Sequence, residues 1–419
     1  MIFTNKKIID YTLFYYAIYL ILGNLLRIIN IPFFKNNLLV TEFLLYLFAL
    51  LSFFIFNLSN NKYKIKIPIE LFFIILIYFI SYFLGSLYHG YFLINAFMYS
   101  LRLILLILSS IVIGTFFYFK KYEIKKVIDF YIFVFFIYTI IAWVIFIAYP
   151  DSVKLWTKLG QFGIIFNGDP HVRRLLGAYF DPNFFGNIII FPMLLSLYSY
   201  YRYNRRYIIY FLFFLLSIIY TFSRSSLFGF IISLAIIAII MCISFIYKKY
   251  LNKKTIYLGI VIAILSIIFV MFNYNEFERL VMRFANIMND ASAAHRFRDI
   301  YLGINTLYKS FYILLFGIGY NYVQNDLRLS LTSLDSSVLN TLISLGTLGT
   351  IIVFVLIINY LRKIYRNLDE KYHGLYLYIV SYLISSIIMS NFNNLLYYQF
   401  YIMTILPFLI FLYKQKDVD

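Results

Sequence analysis

The chain has 419 residues, 63% of them hydrophobic and 22% aromatic, with 36 Lys and Arg against 18 Asp and Glu. A mean hydropathy of +0.84 excludes an ordinary soluble domain, and a lone cysteine, Cys242, excludes a disulfide framework and a thiolate metal site. The net charge of +18 is scattered through short segments beside apolar runs, which fits anionic lipid headgroups and argues against nucleic acid.

Apolar runs long enough to cross about 30 Å of hydrocarbon recur along the chain. They are expected at 8–30, 38–59, 68–87, 93–119, 127–149, 183–201, 207–222, 225–247, 255–273, 336–360, 374–391 and 395–413. The fold class read from them is an all-α polytopic membrane protein of about twelve transmembrane helices, with residues 1–419 as a single membrane domain. The first run is full length and lacks a small-x-small cleavage site, so it reads as a span and not as a signal peptide.

Positive charge sets the expected orientation, because cytoplasmic loops retain Lys and Arg. With the N-terminus inside, the even-numbered loops and the termini hold 22 basic residues, seventeen of them Lys, among them Lys64, Lys125, Lys253 and Lys363. The opposite side holds twelve, eight of them Arg. Both termini are therefore expected in the cytoplasm. The sorting of Lys to one side and Arg to the other is a chemical signal. Arg presents a planar fork that binds phosphate oxygens bidentately, so arginines gathered outside suggest a phosphate or pyrophosphate ligand there.

Two outer loops stand apart, at about 150–182 and 274–335. The first carries Arg173 and Arg174 and ends in Asp181-Pro-Asn183, turn chemistry that opens a helix. A plain helix cap would account for Asp181 and Asn183. The second begins with Glu276, Glu278, Arg279 and Arg283 at helical spacing and continues with His295, Arg296 and Arg298. Its stretch Ile313–Ile318 is too short to cross, and with Gly317 and Gly319 it predicts a helix followed by a tight turn or re-entrant dip. Between these loops, Thr221-Phe-Ser223-Arg224-Ser225-Ser226 joins two spans. Two readings fit Arg224: a guanidinium among hydroxyls that seats a phosphate, or an interfacial Arg that snorkels to water.

Arg102 lies inside the fourth span, about 15 Å from its outer end at 1.5 Å per residue. Asn95 precedes it on the same face. A charge at that depth needs a partner or a wet cavity. Acidic partners within spans look scarce, which favours a cavity over an ion pair.

Four motifs resemble the O-antigen polymerase and O-antigen ligase superfamily: Arg174-Leu-Leu-Gly177 leading into Asp181-Pro-Asn183-x-x-Gly186; Phe222-Ser223-Arg224-Ser225; Arg296-x-x-x-x-Tyr301 followed by Leu315-Phe-Gly317-x-Gly319; and Asn340 followed by Gly346-x-x-Gly349. The resemblance covers about residues 170–360. It implies a bundle similar to the GT-C class with a large periplasmic loop, in a bacterial inner membrane. It also implies undecaprenyl-diphosphate-linked glycan as donor, metal-independent glycosyl transfer and no cofactor. The ligase branch carries a His eleven residues before the first glycine of the last motif. Here that place holds Asp335, which favours the polymerase branch.

The expected function is thus polymerisation of lipid-linked repeat units of a surface polysaccharide such as O-antigen, capsule or exopolysaccharide. Arg102, Arg173, Arg174, Arg224 and Arg279 are the candidate diphosphate ligands, and Arg296, Arg298 and Asp335 the candidate catalytic groups. Asp181, Asn183, Ser223, Gly317 and Gly319 are the motif positions. Membrane lipid is one partner; a chain-length regulator and a flippase are the candidate protein partners. The alternatives are an O-antigen ligase and a flippase for the lipid-linked unit. A flippase should keep its loops short, and a symporter should show broken spans and mid-membrane acids. Neither pattern is evident in the sequence.

Overall fold

The computed structural model describes residues 2–26, 40–58, 64–161, 171–248, 291–322 and 336–415. Among them no strand forms, and the chain is a bundle of helices: α1 (Ile2–Leu22), α2 (Val40–Leu58), α3 (Ile69–His89), α4 (Ile94–Phe119), α5 (Ile124–Ala148), α6 (Ser152–Gln161), α7 (Pro182–Arg202), α8 (Tyr207–Tyr220), α9 (Arg224–Lys248), α10 (Ala291–Leu307), α11 (Phe311–Phe316), α12 (Ser337–Asn367), α13 (His373–Met389) and α14 (Gln399–Tyr413). Helices cover eleven of the expected apolar runs; the twelfth, 255–273, lies outside the described residues.

Among the described residues, seven helical segments are long and apolar enough to cross a membrane, and four further apolar helices are shorter. Their outward faces are oily. α3 exposes Ile69, Phe72, Phe73, Leu76, Ile80, Phe83 and Leu87, and α12 exposes Ile351, Ile352, Phe354 and Val355. Such continuous apolar surface needs lipid as its solvent. Polar side chains instead turn inward. Ser100, Ser110, Thr115, Thr139, Ser196 and Thr404 are buried and each donates to the carbonyl four residues back, which satisfies a hydroxyl without water. α7 is the most enclosed of the long helices, packed by α8, α9 and α13. α4 and α14 pack closely because Gly114 leaves room for the Pro407 carbonyl.

The sorting of charge in the sequence appears as two ends of the bundle. At one end, Lys120 pairs with Asp10, Lys363 with Glu70 at 2.5 Å, and Lys371 with Asp369 at 3.0 Å, while Lys125 lies 5.5 Å over the Tyr203 ring. Arg173, Arg174 and Arg224 belong to the other end, where α5 finishes and α7, α9, α12 and α14 start.

α12 is broken. Gly346 has φ 67° and ψ −178° inside the helix, a region open essentially to glycine alone. Gly317, with φ 77° and ψ −177°, faces it, and a Cβ on either would strike backbone of the other's segment. The carbonyls freed by the break find partners: Ile343 accepts from Ile318 N–H at 2.9 Å, and Ser344 from Gly319 N–H at 3.2 Å and from Ser81 Oγ at 2.8 Å. Thr347 Oγ1 donates in return to the Leu314 carbonyl at 2.9 Å. The sequence predicted a helix and a tight turn near 313–319; α11 and this glycine turn occupy that place, seated in the break of α12.

Candidate functional site

Two helix N-termini meet beside Arg174. Asp181 caps α7, accepting from Asn183 N–H at 2.6 Å and Phe184 N–H at 3.1 Å, with Pro182 at the first helical position, where its missing N–H costs nothing. Ser223 caps α9 by accepting from Ser226 N–H at 3.3 Å. Asn183 links the two. Its Oδ1 accepts from Ser223 Oγ at 2.8 Å and from the Arg174 guanidinium at 3.4 Å. Ser223 Oγ further meets Ser225 Oγ at 3.1 Å and accepts from Ser226 Oγ at 2.9 Å. Gly186 completes the joint, since a Cβ there would collide with Ser226.

Arg174 is half-buried and held from three sides. Its Nε donates to the Thr221 carbonyl at 2.8 Å, one amino group reaches Asn183, and the other lies 3.3 Å from His171 Nδ1. The segment that carries it is pinned by the Leu175 N–H to the Tyr220 carbonyl at 2.9 Å. Arg224, half-buried, is the first residue of α9. Arg173 is exposed. Three non-glycine residues with positive φ flank the cluster, Arg173 at 50°, Phe180 at 60° and Phe222 at 48°. Local strain of this kind, about 1–3 kcal/mol each, persists where surrounding structure enforces it. Two guanidinium-bearing segments, a ring of hydroxyls and a helix N-terminus with no acidic residue in its first turn make a place suited to an anion.

A second polar group lies in the bundle. Arg102 Nε and Nη2 donate to the two oxygens of Glu42 at 2.6 and 2.7 Å. Gln399 accepts from the same guanidinium, and Tyr46 donates to Glu42. Glu42 is fully buried. The expectation that acidic partners within spans are scarce is therefore corrected: Glu42, in the second apolar run, neutralises Arg102, because a bidentate pair is the least costly way to keep a guanidinium among helices. Asn95 has no part in it.

An aromatic seam joins the two groups. Tyr19 stacks on Phe400, Phe400 on Tyr179, and Phe184 on Tyr398 at centroid separations of 4.8, 4.4 and 4.0 Å. Phe184 follows Asn183, and Tyr398 precedes Gln399, so the arginine cluster and the Arg102 pair approach each other through adjacent residues. Tyr397 extends the seam to the glycine turn: its hydroxyl meets Thr341 Oγ1 at 2.7 Å and Tyr78 OH at 3.3 Å, and its ring lies 5.7 Å from Tyr320. The segment Asn393–Gln399 was not singled out in the sequence. The available signal was a run of amides, Asn391, Asn393, Asn394 and Gln399, around the start of the last apolar run.

Of the remaining candidates, only Arg298, Gly317 and Gly319 have described surroundings. Arg298 is exposed on α10; the backbone of Arg296 belongs to the same helix. Gly317 and Gly319 form the turn in the α12 break. Arg279 and Asp335 lie outside the described residues. No protein-family model and no curated protein matches the chain.

Proposed function

We propose that the protein is a membrane glycosyltransferase that polymerises diphosphate-lipid-linked oligosaccharide units at the outer face of a bacterial cytoplasmic membrane, through a bundle of about twelve spans akin to the GT-C class. The observation that carries this reading is the hydrogen-bonded cluster of Arg174, Asn183, Ser223 and Ser225 at the N-terminus of α9, which begins with Arg224, at the end of the bundle opposite Lys120, Lys363 and Lys371. A lipid diphosphate would lie with its charge in this cluster and its tail along the oily flank. Arginines and helix amides positioned beforehand would stabilise negative charge building on the departing diphosphate oxygen, the kind of preorganised contact that contributes most to such reactions. The anomeric carbon would lose its bond to that oxygen and gain one to a hydroxyl of a second unit, whose proton passes to a base. Asp335 is the candidate base from the sequence.

A second reading is favoured by specific features. The sequence shows no obvious broken span, yet Gly346 breaks α12, and Glu42, in the first turn of α2, forms a buried ion pair with Arg102. Discontinuous helices and buried ion pairs characterise transporters, so a flippase for the same lipid-linked unit is the alternative. Purified protein in vesicles loaded on both leaflets with labelled lipid-linked units separates the two. The polymerase reading predicts products longer than one unit on the carrier lipid. Movement of label between leaflets with no elongation would overturn it.

A further inference from the structure

The connection between α5 and α7 contains a helix that the proposed chemistry does not use. α6 reads Ser-Val-Lys-Leu-Trp-Thr-Lys-Leu-Gly-Gln. At 100° per residue, Leu155, Leu159, Trp156 and Val153 fall on one arc and Lys154, Thr157, Lys158 and Gln161 on the other. Leu155 is buried against the protein, the polar arc and Val153 are exposed, and Trp156, on the apolar arc between Leu155 and Val153, is half-buried with its Nε1 turned into the protein.

Along the chain, this edge follows an exposed apolar face. α5 exposes Phe133, Ile140, Val144 and Ile147 along one face, and α5 is long and apolar enough to cross a membrane. The exposed apolar side chains that follow are Val153 on α6 and Val172 on the segment paired with it. Asp151 forms an antiparallel bridge with Val172. Ser152 N–H donates to the His171 carbonyl at 3.0 Å, Arg173 N–H to the Pro150 carbonyl at 2.7 Å, and His171 N–H to Ser152 Oγ at 2.7 Å. α6 is thus tied by backbone to the segment that bears Arg173 and Arg174.

We propose that α6 lies in the headgroup layer of the membrane. Its Val153–Trp156 edge sits at the acyl boundary, Lys154 and Lys158 face lipid phosphates, and the helix thereby sets the height at which Arg173 and Arg174 stand over the bilayer. An amphipathic helix with Lys on its polar face and Trp at its edge settles about 5–10 Å into that boundary. The proposal requires only that the chain span a bilayer, and it holds whether the protein polymerises glycans or moves them.

The chain has two tryptophans, Trp143 and Trp156. Trp143→Phe leaves Trp156 as the sole indole in protein reconstituted into vesicles of phosphatidylcholine and phosphatidylglycerol. The expected result is a blue-shifted emission, quenched more by lipids brominated near the headgroup end of the acyl chain than by lipids brominated near its terminus. Quenching by aqueous iodide with none by either lipid would place α6 in water and overturn the proposal. Quenching by none of the three would place Trp156 inside the protein, and stronger quenching by the deep label would place it in the hydrocarbon; each also overturns it. Because Trp143 Nε1 donates to Ser217 Oγ and its loss can impair folding, the same reading is obtained as the difference in quenching between the unaltered protein and Trp156→Phe.

Discussion

Arg174 carries more of the proposed site than any other side chain, and its fork is what matters. Its three nitrogens each have a different partner, the Thr221 carbonyl, Asn183 and His171. Lysine keeps the charge and loses that geometry. Arg174→Lys is therefore expected to lower polymer formation by roughly 10²–10³, the loss typical of one transition-state donor, at matched membrane abundance. Arg362→Lys, at the lysine end, should leave the polymer ladder unchanged; equal ladders from both variants would make Arg174 a structural anchor. Arg102 behaves differently, since Glu42 engages it in a bidentate pair. Removing one member of a buried pair typically costs about 3–5 kcal/mol because the other is stranded. Glu42→Gln alone should then sharply reduce thermal stability of the detergent-purified protein, and adding Arg102→Met should recover part of the loss. Additive losses would show that the pair is not coupled. The arginines were legible in the sequence because charge in so oily a chain stands out. The partner of Arg102 was not: Glu42 lies sixty residues away, and only packing of α2 on α4 brings the two together.

The elements follow from the length and continuity of apolar runs, which is why the helix positions could be read from the sequence with small shifts at their ends. What a run of apolar residues hides is its own interruption. Gly346-x-x-Gly349 inside the run at 336–360 reads in the sequence only as one of the resemblance motifs, and only the positive φ at Gly346 reveals a break. Gly346→Ala should be strongly destabilising, by at least about 1–3 kcal/mol for the backbone region alone, and more because the methyl would strike the Leu315 carbonyl. Gly160→Ala, in a helical residue with open space around its Cα, should be neutral or stabilising by up to about 1 kcal/mol. Thermal unfolding of both variants, followed by fluorescence, tests this; equal melting would mean that the break in α12 can be healed. α6 escaped the sequence reading for another reason. Ten residues of helical periodicity are too few to stand out within a loop, and its role depends on the exposed face of α5 beside it.

At the scale of the molecule, the paired lysines Lys120, Lys363 and Lys371 and the Arg174 cluster occupy opposite ends, as the alternation of the spans implies. Reporter fusions after Lys125, Arg205 and Lys363 should report cytoplasm, and a fusion after Ala291 the outer side; a cytoplasmic signal at Ala291 would invert the orientation and remove the arginines from the outer face. The chemistry itself is the least legible part, because a diphosphate-binding end serves a polymerase, a ligase or a flippase equally well. The most direct test is the surface glycan of cells lacking the protein, separated by size, together with the glycan left on the carrier lipid. A polymerase predicts that single repeat units are still exported and attached, so that the ladder collapses to its first rung. Long polymer persisting on the carrier lipid, or units trapped in the cytoplasm, would contradict it.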